Sequence, residues 1–342
     1  ILLVILIHTQ QYGLNNPTGT LANIINAGKN GVQLFYVASA FTLMLSFSNR
    51  KNKEKYPNRN FFLRRFFRIA PMYYIGILYY LWQDGLGPRY WLGDAAGVSA
   101  GNILSNFLFL HGFNPYWITS VVPGGWSIAV EMTFYAVFPW LASRIRNLNQ
   151  AILLFVVSLL IRLLLERLLM PHPMSSPDLW YAYLFFYFPS QLPVFALGIV
   201  LYFIVTQKEQ SIQPAYLLIL AALWLYYQAT GSGSIFPSHI QFGLGFLLLA
   251  FALSRYQPVW LVNPVTIYIG KLSFSMYLLH FAVLHWLQHF HCTDFVSNPS
   301  VNYLIRYGLV VLGTVGLSTL AYRLVELPMQ EVGKRLIGRW ER

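Results

Sequence analysis

Three kinds of side chain that can do chemistry lie in or beside apolar stretches of this sequence. His8 follows an apolar run, Arg64, Arg65 and Arg68 lie where another apolar stretch begins, and Glu131 lies one turn into a third. Charged groups in a bilayer are costly, so such residues are by default candidates for function. Together they could supply a base, bind an anion and place a carboxylate.

His8 is the candidate base. An imidazole titrates near neutral pH and can take a proton from a hydroxyl group. We therefore predict that His8 acts as a general base. The alternative is a histidine that only forms a hydrogen bond inside a helical bundle, which its position alone also allows.

The basic run is a candidate phosphate site. Arg64 and Arg68 share a helical face at a spacing of four residues. Guanidinium groups bind phosphates through two parallel hydrogen bonds. We predict that Arg64, Arg65 and Arg68 bind an anionic ligand. The alternative is a cytoplasmic cluster that only sets the topology. Pro71 fits the first turn of the helix that follows.

The segment from Trp126 to Glu131 is a second candidate site. It follows a Pro-Gly-Gly turn signal, and Ser127 is a suitable N-cap for a helix that carries Glu131 on the same face. The carboxylate can orient a histidine, hold a substrate hydroxyl or pair with an arginine. We predict that Glu131 is catalytic and that Trp126 and Ser127 contact the substrate. A buried structural pair of Glu131 with an arginine is the alternative.

A polar stripe on a later apolar segment is the third candidate. Ser273, Tyr277 and His280 are spaced for one helical face. Tyr277 and His280 are predicted to contact the substrate. Small hydroxyl residues also connect helices in membranes, which is the alternative for Ser273.

No metal is expected. His285, His289 and His291 have a spacing compatible with a metal site, but Asp294 is the only nearby carboxylate. The single cysteine, Cys292, excludes a disulfide framework and a cysteine-based metal site.

The composition is that of a membrane protein. Of 342 residues, 56% are hydrophobic and 10% are charged, whereas a soluble domain carries roughly 25% charged residues. The net charge is +12, but eight of the 23 basic residues lie between Arg50 and Arg68 and five between Arg323 and Arg342. Clusters beside spans follow the positive-inside rule and can meet anionic lipids, so membrane lipids are expected partners and nucleic acid is not.

We predict an all-α fold, a polytopic transmembrane helical bundle that forms one integral-membrane domain over residues 1–342. The charge map favours ten spans with both termini cytoplasmic, and a re-entrant helix at 103–111. The first span is expected to begin upstream of Ile1, and Pro189 and Pro193 predict a kink. The predicted spans are 1–12, 31–48, 69–83, 127–143, 151–170, 180–205, 214–229, 240–254, 264–288 and 302–324.

Several motifs, taken in their order along the chain, resemble those of the acyltransferase-3 family of membrane O-acyltransferases. The resemblance rests on His8, Gly31 to Phe41, the Arg-Arg-x-x-Arg-Ile-x-Pro run from Arg64 to Pro71, Trp126 to Pro139, Ser273 to His280, and Glu326-Leu327-Pro328. Gln33 replaces an acid of the family pattern, and Ala40 replaces a glycine.

The resemblance implies a multi-pass enzyme of the plasma or inner membrane. It implies transfer of an acetyl group from acetyl-CoA, on the cytoplasmic side, to a hydroxyl of an extracytoplasmic polysaccharide or glycolipid. His8 and Glu131 would be catalytic, and the arginines would bind the donor. A transporter or flippase is the competing class, and we find no internal repeat of the kind common in such proteins. The sequence indicates no oligomeric state.

Overall fold

The computed structural model describes residues 1–13, 16–169, 176–206, 218, 221–222, 224–226, 228–229 and 236–342. Every regular element in these residues is helical, so the predicted all-α class is confirmed. Half of the predicted span 214–229 lies outside the described residues. The ten-span count stays a prediction. Within the described part of the chain, five helical stretches are long and apolar enough to cross a membrane: Gly19–Arg50, Pro177–Thr206, Ser238–Arg255, Pro264–His289 and Pro299–Glu341.

The helices are numbered here in chain order. They are α1 (Leu2–Thr9), α2 (Gly19–Ala27), α3 (Gly31–Arg50), α4 (Pro57–Asp84), α5 (Ala100–Phe107), α6 (Gly125–Arg144), α7 (Leu148–Leu169), α8 (Pro177–Phe186), α9 (Phe188–Thr206), α10 (Ser238–Arg255), α11 (Pro264–His289), α12 (Pro299–Ala321) and α13 (Leu327–Glu341).

The chain forms two compact units, each built from segments that are distant in sequence. The first unit comprises Ile1–Ala38 and Ile204–Leu324, and the second comprises Ser39–Phe203 and Val325–Arg342. The prediction of one integral domain stays a prediction.

In the first unit, α1 packs against α11 and α12. Ile5 of α1, Met276 of α11 and Val310 of α12 belong to one buried apolar cluster. The segment 28–30 also lies directly against α1: a Cβ atom on Gly28 would lie 2.4 Å from the carbonyl oxygen of Leu3. Glycine at this position therefore permits the close approach of the two segments.

Hydrogen bonds from α12 hold α1 in place. The Tyr303 hydroxyl donates to the carbonyl oxygen of Leu6 at 2.5 Å, and the Tyr307 hydroxyl donates to that of Leu2 at 3.3 Å. Buried Arg306 donates to the Asn16 Oδ1 atom at 2.7 Å, beyond the C-terminal end of α1. The helix that carries His8 is thus fixed along its length.

In the second unit, α4 differs from the predicted span 69–83. It begins at Pro57, runs for 28 residues and includes the basic run, with Pro71 in its interior. Pro57, rather than Pro71, therefore occupies the first turn. A proline inside a membrane helix is tolerated because neighbouring groups satisfy the freed backbone.

The other predictions about chain breaks have mixed outcomes. The chain breaks between α8 and α9 at Tyr187, whose ψ is 155°, so the kink expected near Pro189 is confirmed. The helix α5 has eight residues, about 12 Å, which is too short to cross a bilayer. The segment 13–30, between the first two predicted spans, contains the helix α2.

The C-terminal helix α13 packs on α4. The Glu341 carboxylate accepts hydrogen bonds from the backbone N–H groups of Lys55 and Tyr56 and from the side chain of Asn60, at 2.7, 3.2 and 2.7 Å. The first N–H groups of a helix lack partners within the helix, and Glu341 satisfies that of Tyr56, the N-cap of α4.

Candidate functional site

The three arginines of the basic run have different environments. Arg64 donates two hydrogen bonds to Glu54, at 2.8 and 3.1 Å, and both side chains are largely buried. Its charge is therefore balanced by a carboxylate. The role of Arg64 in donor binding stays a prediction.

Arg65 and Arg68, unlike Arg64, are not paired with a carboxylate among the described residues. Neither side chain forms an ion pair within 4.0 Å in the described ranges. The Arg65 guanidinium carbon lies 5.9 Å from the centre of the Tyr135 ring, and the Arg65 Nε atom is buried without a hydrogen-bond partner among the residues described. Arg68, one turn further along α4, is exposed. These two cations could meet an anion.

Glu131 is held by two hydroxyl groups of the second unit. Ser39 of α3 donates to its Oε1 atom at 3.0 Å, and Tyr135, one turn later on α6, donates to the same atom. Tyr135 therefore contacts both Glu131 and Arg65. Side chains of α3, α4 and α6, which the sequence analysis considered separately, therefore meet at one place. We call Ser39, Arg65, Glu131 and Tyr135 the Glu131 network.

The helix α6 begins differently from the prediction. Its N-cap is Gly124, whose φ of +72° is a left-handed conformation that glycine adopts at no steric cost. Ser127 lies inside the first turn, and its hydroxyl donates back to the Gly124 carbonyl at 3.1 Å. The expected Ser127 N-cap is therefore wrong, because the glycine turn places the N-cap three residues earlier, at Gly124.

His111 is a residue that sequence reasoning missed. It is fully buried, and its Nε2 atom lies 3.0 Å from the Gly125 carbonyl oxygen and 3.1 Å from the Tyr73 hydroxyl. Tyr73 in turn donates to Asn106 Oδ1 at 2.9 Å. His111 thereby anchors the start of α6. The only sequence signal was a lone histidine at the end of the short apolar segment 103–111.

Trp126 and Ser127 are buried in the second unit. Trp126 is stacked on Phe186, with ring centres 4.5 Å apart. One face of the indole is thus covered by the protein's own side chain. The predicted contacts of Trp126 and Ser127 with a substrate stay predictions.

A small apolar cavity of about 160 Å³ lies beside α6. Ala129, Val130 and Thr133 line it from α6, and Tyr183 and Tyr187 line it from the α8 side. Glu131 and Tyr135 are not among its lining residues. An apolar lining suits hydrocarbon rather than a phosphate group.

In the first unit, His8 contacts two residues of α11. Its ring centre lies 5.3 Å from that of His280 and 4.4 Å from that of Phe281. Its Nδ1 atom lies 3.0 Å from the Oε1 atom of Gln11. The structure therefore brings together two histidines that are 272 residues apart in the sequence.

His280 is fully buried, and its two ring nitrogens differ. The Nδ1 atom lies 3.2 Å from the Met276 carbonyl oxygen, whereas the Nε2 atom has no hydrogen-bond partner in the described part of the chain. Tyr277 is also buried, and its ring centre lies 5.9 Å from that of His280. Their roles in substrate contact stay predictions.

The described residues contain no group of three or more histidine, cysteine, aspartate or glutamate side chains that could hold a metal ion. His285 and His289 have parallel rings with centres 6.4 Å apart, one turn apart on α11.

Comparisons with known proteins place these residues in context. The chain is 32% identical over 76 residues to proteins named "Putative O-acetyltransferase" from Staphylococcus aureus strains COL and MSSA476. The aligned stretch is 22% of this chain and spans only 12% of those relatives' own length. No solved structure matches the chain.

A family match covers most of the sequence. The sequence model of the acyltransferase domain matches residues 1–323, which include His8, the basic run, the Glu131 network and His280. Together with the apolar helices, this match shows that the chain belongs to the acyltransferase-3 family of membrane proteins.

Proposed function

We propose that this protein is a membrane O-acyltransferase that moves an acetyl group from acetyl-CoA, on the cytoplasmic side, to a hydroxyl of an extracytoplasmic polysaccharide or glycolipid. The family match supports acyl transfer, and the names of the staphylococcal relatives support acetyl transfer to oxygen. The observation that carries the proposal is the pairing of His8 with His280, at 5.3 Å between ring centres. His280 is fully buried and His8 is half-buried beside it, so the pair provides an imidazole base close to a water-poor interior.

The proposed reaction joins a hydroxyl oxygen to a thioester carbonyl carbon. His8 takes the hydroxyl proton as the oxygen attacks, because an alcohol is a weak nucleophile until its proton is removed. The carbon–sulfur bond then breaks, CoA leaves as a thiolate, and the imidazolium proton neutralises it. The products are an O-acetyl ester and free CoA.

The donor is proposed to bind through Arg65 and Arg68. Its phosphates are anionic, and guanidinium groups bind phosphate through paired hydrogen bonds. Arg65 has a buried Nε atom without a partner among the described residues, so an oxygen of a phosphate group would satisfy it. Arg64, paired with Glu54, would instead support the segment that carries the other two.

Glu131 is proposed to act within its network. Its carboxylate accepts from Ser39 and Tyr135, and Tyr135 lies against Arg65. The carboxylate therefore helps to fix the side chains that would meet the donor. We propose that it assists turnover by this positioning and by its charge.

The test is transfer of labelled acetyl groups in membranes that contain the full-length protein. Membranes with acetyl-CoA labelled in the acetyl group should place label in an alkali-labile ester on the envelope glycan. His289→Ala, which changes an exposed histidine of the first unit, is the matched control and should transfer at the parental rate. Translocation of a glycan precursor without any labelled ester would instead support a transporter.

A further inference from the structure

We infer that Gln11 is a positioning residue that fixes the protonation pattern of the His8 ring. The inference rests on the proposed function, since it assigns Gln11 a role in the same reaction. It starts from one contact, the 3.0 Å distance between Gln11 Oε1 and His8 Nδ1. In the described parts of the chain, this is the hydrogen bond that the His8 side chain makes.

The chemistry of the contact decides which nitrogen is basic. An amide oxygen can only accept a hydrogen bond, so His8 Nδ1 must carry the proton. A neutral imidazole has one N–H donor and one lone-pair acceptor. The lone pair of His8 therefore lies on Nε2, the nitrogen that is free to take a proton from a hydroxyl.

The turn after α1 places Gln11 for this contact. The backbone N–H of Gln11 donates to the His8 carbonyl at 3.1 Å, so the two side chains are neighbours at a spacing of three residues. Asn16 donates to the Gln10 carbonyl at 2.9 Å, and Arg306 holds Asn16 at 2.7 Å. The turn is thus tied to α12.

The other titratable groups near α1 have different roles. His280 faces His8 from α11. Because the Nδ1 atom of His280 donates to the Met276 carbonyl oxygen, the Nε2 atom of His280 is an acceptor rather than a donor. Tyr303 and Tyr307 of α12 donate to carbonyl groups of α1. On the same helix, Arg306 binds Asn16, the Thr293 carbonyl and Asp294. Lys29 is exposed.

Gln11 thus does for His8 what a carboxylate does in a Ser-His-Asp triad, which holds the imidazole in one tautomer. An amide differs from a carboxylate because it orients the ring without adding a charge. Adding charge in a membrane segment is costly, and it would also favour the protonated imidazolium, which cannot act as a base.

The first experiment compares the pH dependence of acetyl transfer in the parent, Gln11→Leu and Gln11→Glu. Gln11→Leu should lower kcat by about tenfold, less than the roughly 10²–10⁴-fold loss expected when the general base itself is removed, with little change in KM for acetyl-CoA. Its acidic limb should move to lower pH, because the imidazolium loses a hydrogen bond. Gln11→Glu should move the acidic limb to higher pH. Gln10→Leu is the control and should keep the parental profile.

The second experiment reads the tautomer without using activity. Nitrogen NMR of protein with ¹⁵N-labelled histidine, with the His8 signals assigned by His8→Ala, should show the proton on Nδ1 in the parent and a mixture of tautomers in Gln11→Leu. A proton on Nε2 in the parent, or parental pH profiles in both variants, would overturn the role of Gln11. A parent that transfers no acetyl group would refute the proposed function, while the NMR result would still decide the tautomer.

Discussion

Tyr135 donates a hydrogen bond to Glu131 one turn before it on α6, and the ring of the same tyrosine lies 5.9 Å from the guanidinium carbon of Arg65. A single side chain therefore connects the carboxylate of one motif with the cation of another. Because both contacts are made by one buried residue, the two charged groups have a defined separation in the second unit. A guanidinium group positioned in this way is suited to bind an anionic group of a ligand.

Arg65→Ala should weaken donor binding. Loss of hydrogen bonds to a charged group costs about 1.5–3 kcal/mol, or roughly 10–100-fold in affinity for acetyl-CoA. Arg65→Lys should recover only part of the loss, because an ammonium cannot form the paired hydrogen bonds. Isothermal titration with acetyl-CoA measures the effect.

Arg50→Ala is the matched control for this prediction, since its side chain is 49% exposed. It should bind acetyl-CoA like the parent. Equal affinities for the parent and Arg65→Ala would reduce the basic run to a topological signal.

Glu131→Gln should lower turnover by about tenfold, less than the roughly 10²–10⁴-fold loss expected for a general base. The amide keeps an oxygen that can accept from Ser39 and Tyr135 but lacks the charge. Initial rates of acetyl transfer measure the effect, with Glu331→Gln on the exposed side of α13 as the control. A loss as large as that of His8→Ala would show that Glu131 takes part in the proton transfer itself.

Gly28→Ala should destabilise the first unit by about 1–3 kcal/mol, the usual cost of overpacking. The added Cβ atom would lie 2.4 Å from the Leu3 carbonyl oxygen, so α1 must shift. Gly270→Ala is the control on α11, where an added Cβ atom would meet nothing within 4 Å beyond the neighbouring backbone of its own helix. It should stabilise the helix by roughly 0.5–1 kcal/mol. Unfolding of purified protein in detergent compares the two, and equal stabilities would contradict the packing described for α1.

The topology is tested by cysteine labelling. In a Cys292→Ser background, cysteines introduced at Lys53 and Arg339 should react only after the membrane is opened, because the basic clusters on both sides are predicted to be cytoplasmic. Cys292 of the parent lies between the predicted spans 264–288 and 302–324, on the side opposite the basic clusters, and should react from outside. Labelling of position 53 or 339 in whole cells would refute this topology.

The position of a helix could be predicted from the sequence where a hydrophobic run is bounded by turn signals. The span predicted at 264–288 is observed as α11, which begins at the Asn263 cap and ends at His289. The start of α4 could not be predicted in this way, because a proline inside a membrane helix and one at its first turn give the same local signal. Only packing decides that α4 continues through Pro71.

The candidate residues could be named from sequence, but their partners could not. His8 and Arg65 were predicted from residue type and neighbouring hydropathy. The hydrogen bond of His8 to Gln11, the pairing of Arg64 with Glu54 and the burial of His111 depend on how the chain turns and packs. No periodic pattern in the sequence records such contacts, since each involves single polar residues.

The central claim is that His8 takes the proton from the acceptor hydroxyl. It is tested most directly by the rate of acetyl transfer to glycan by His8→Ala, in protein whose thermal unfolding in detergent matches that of the parent. The account predicts a loss of roughly 10²–10⁴-fold. A folded His8→Ala protein that acetylates glycan at the parental rate would contradict it.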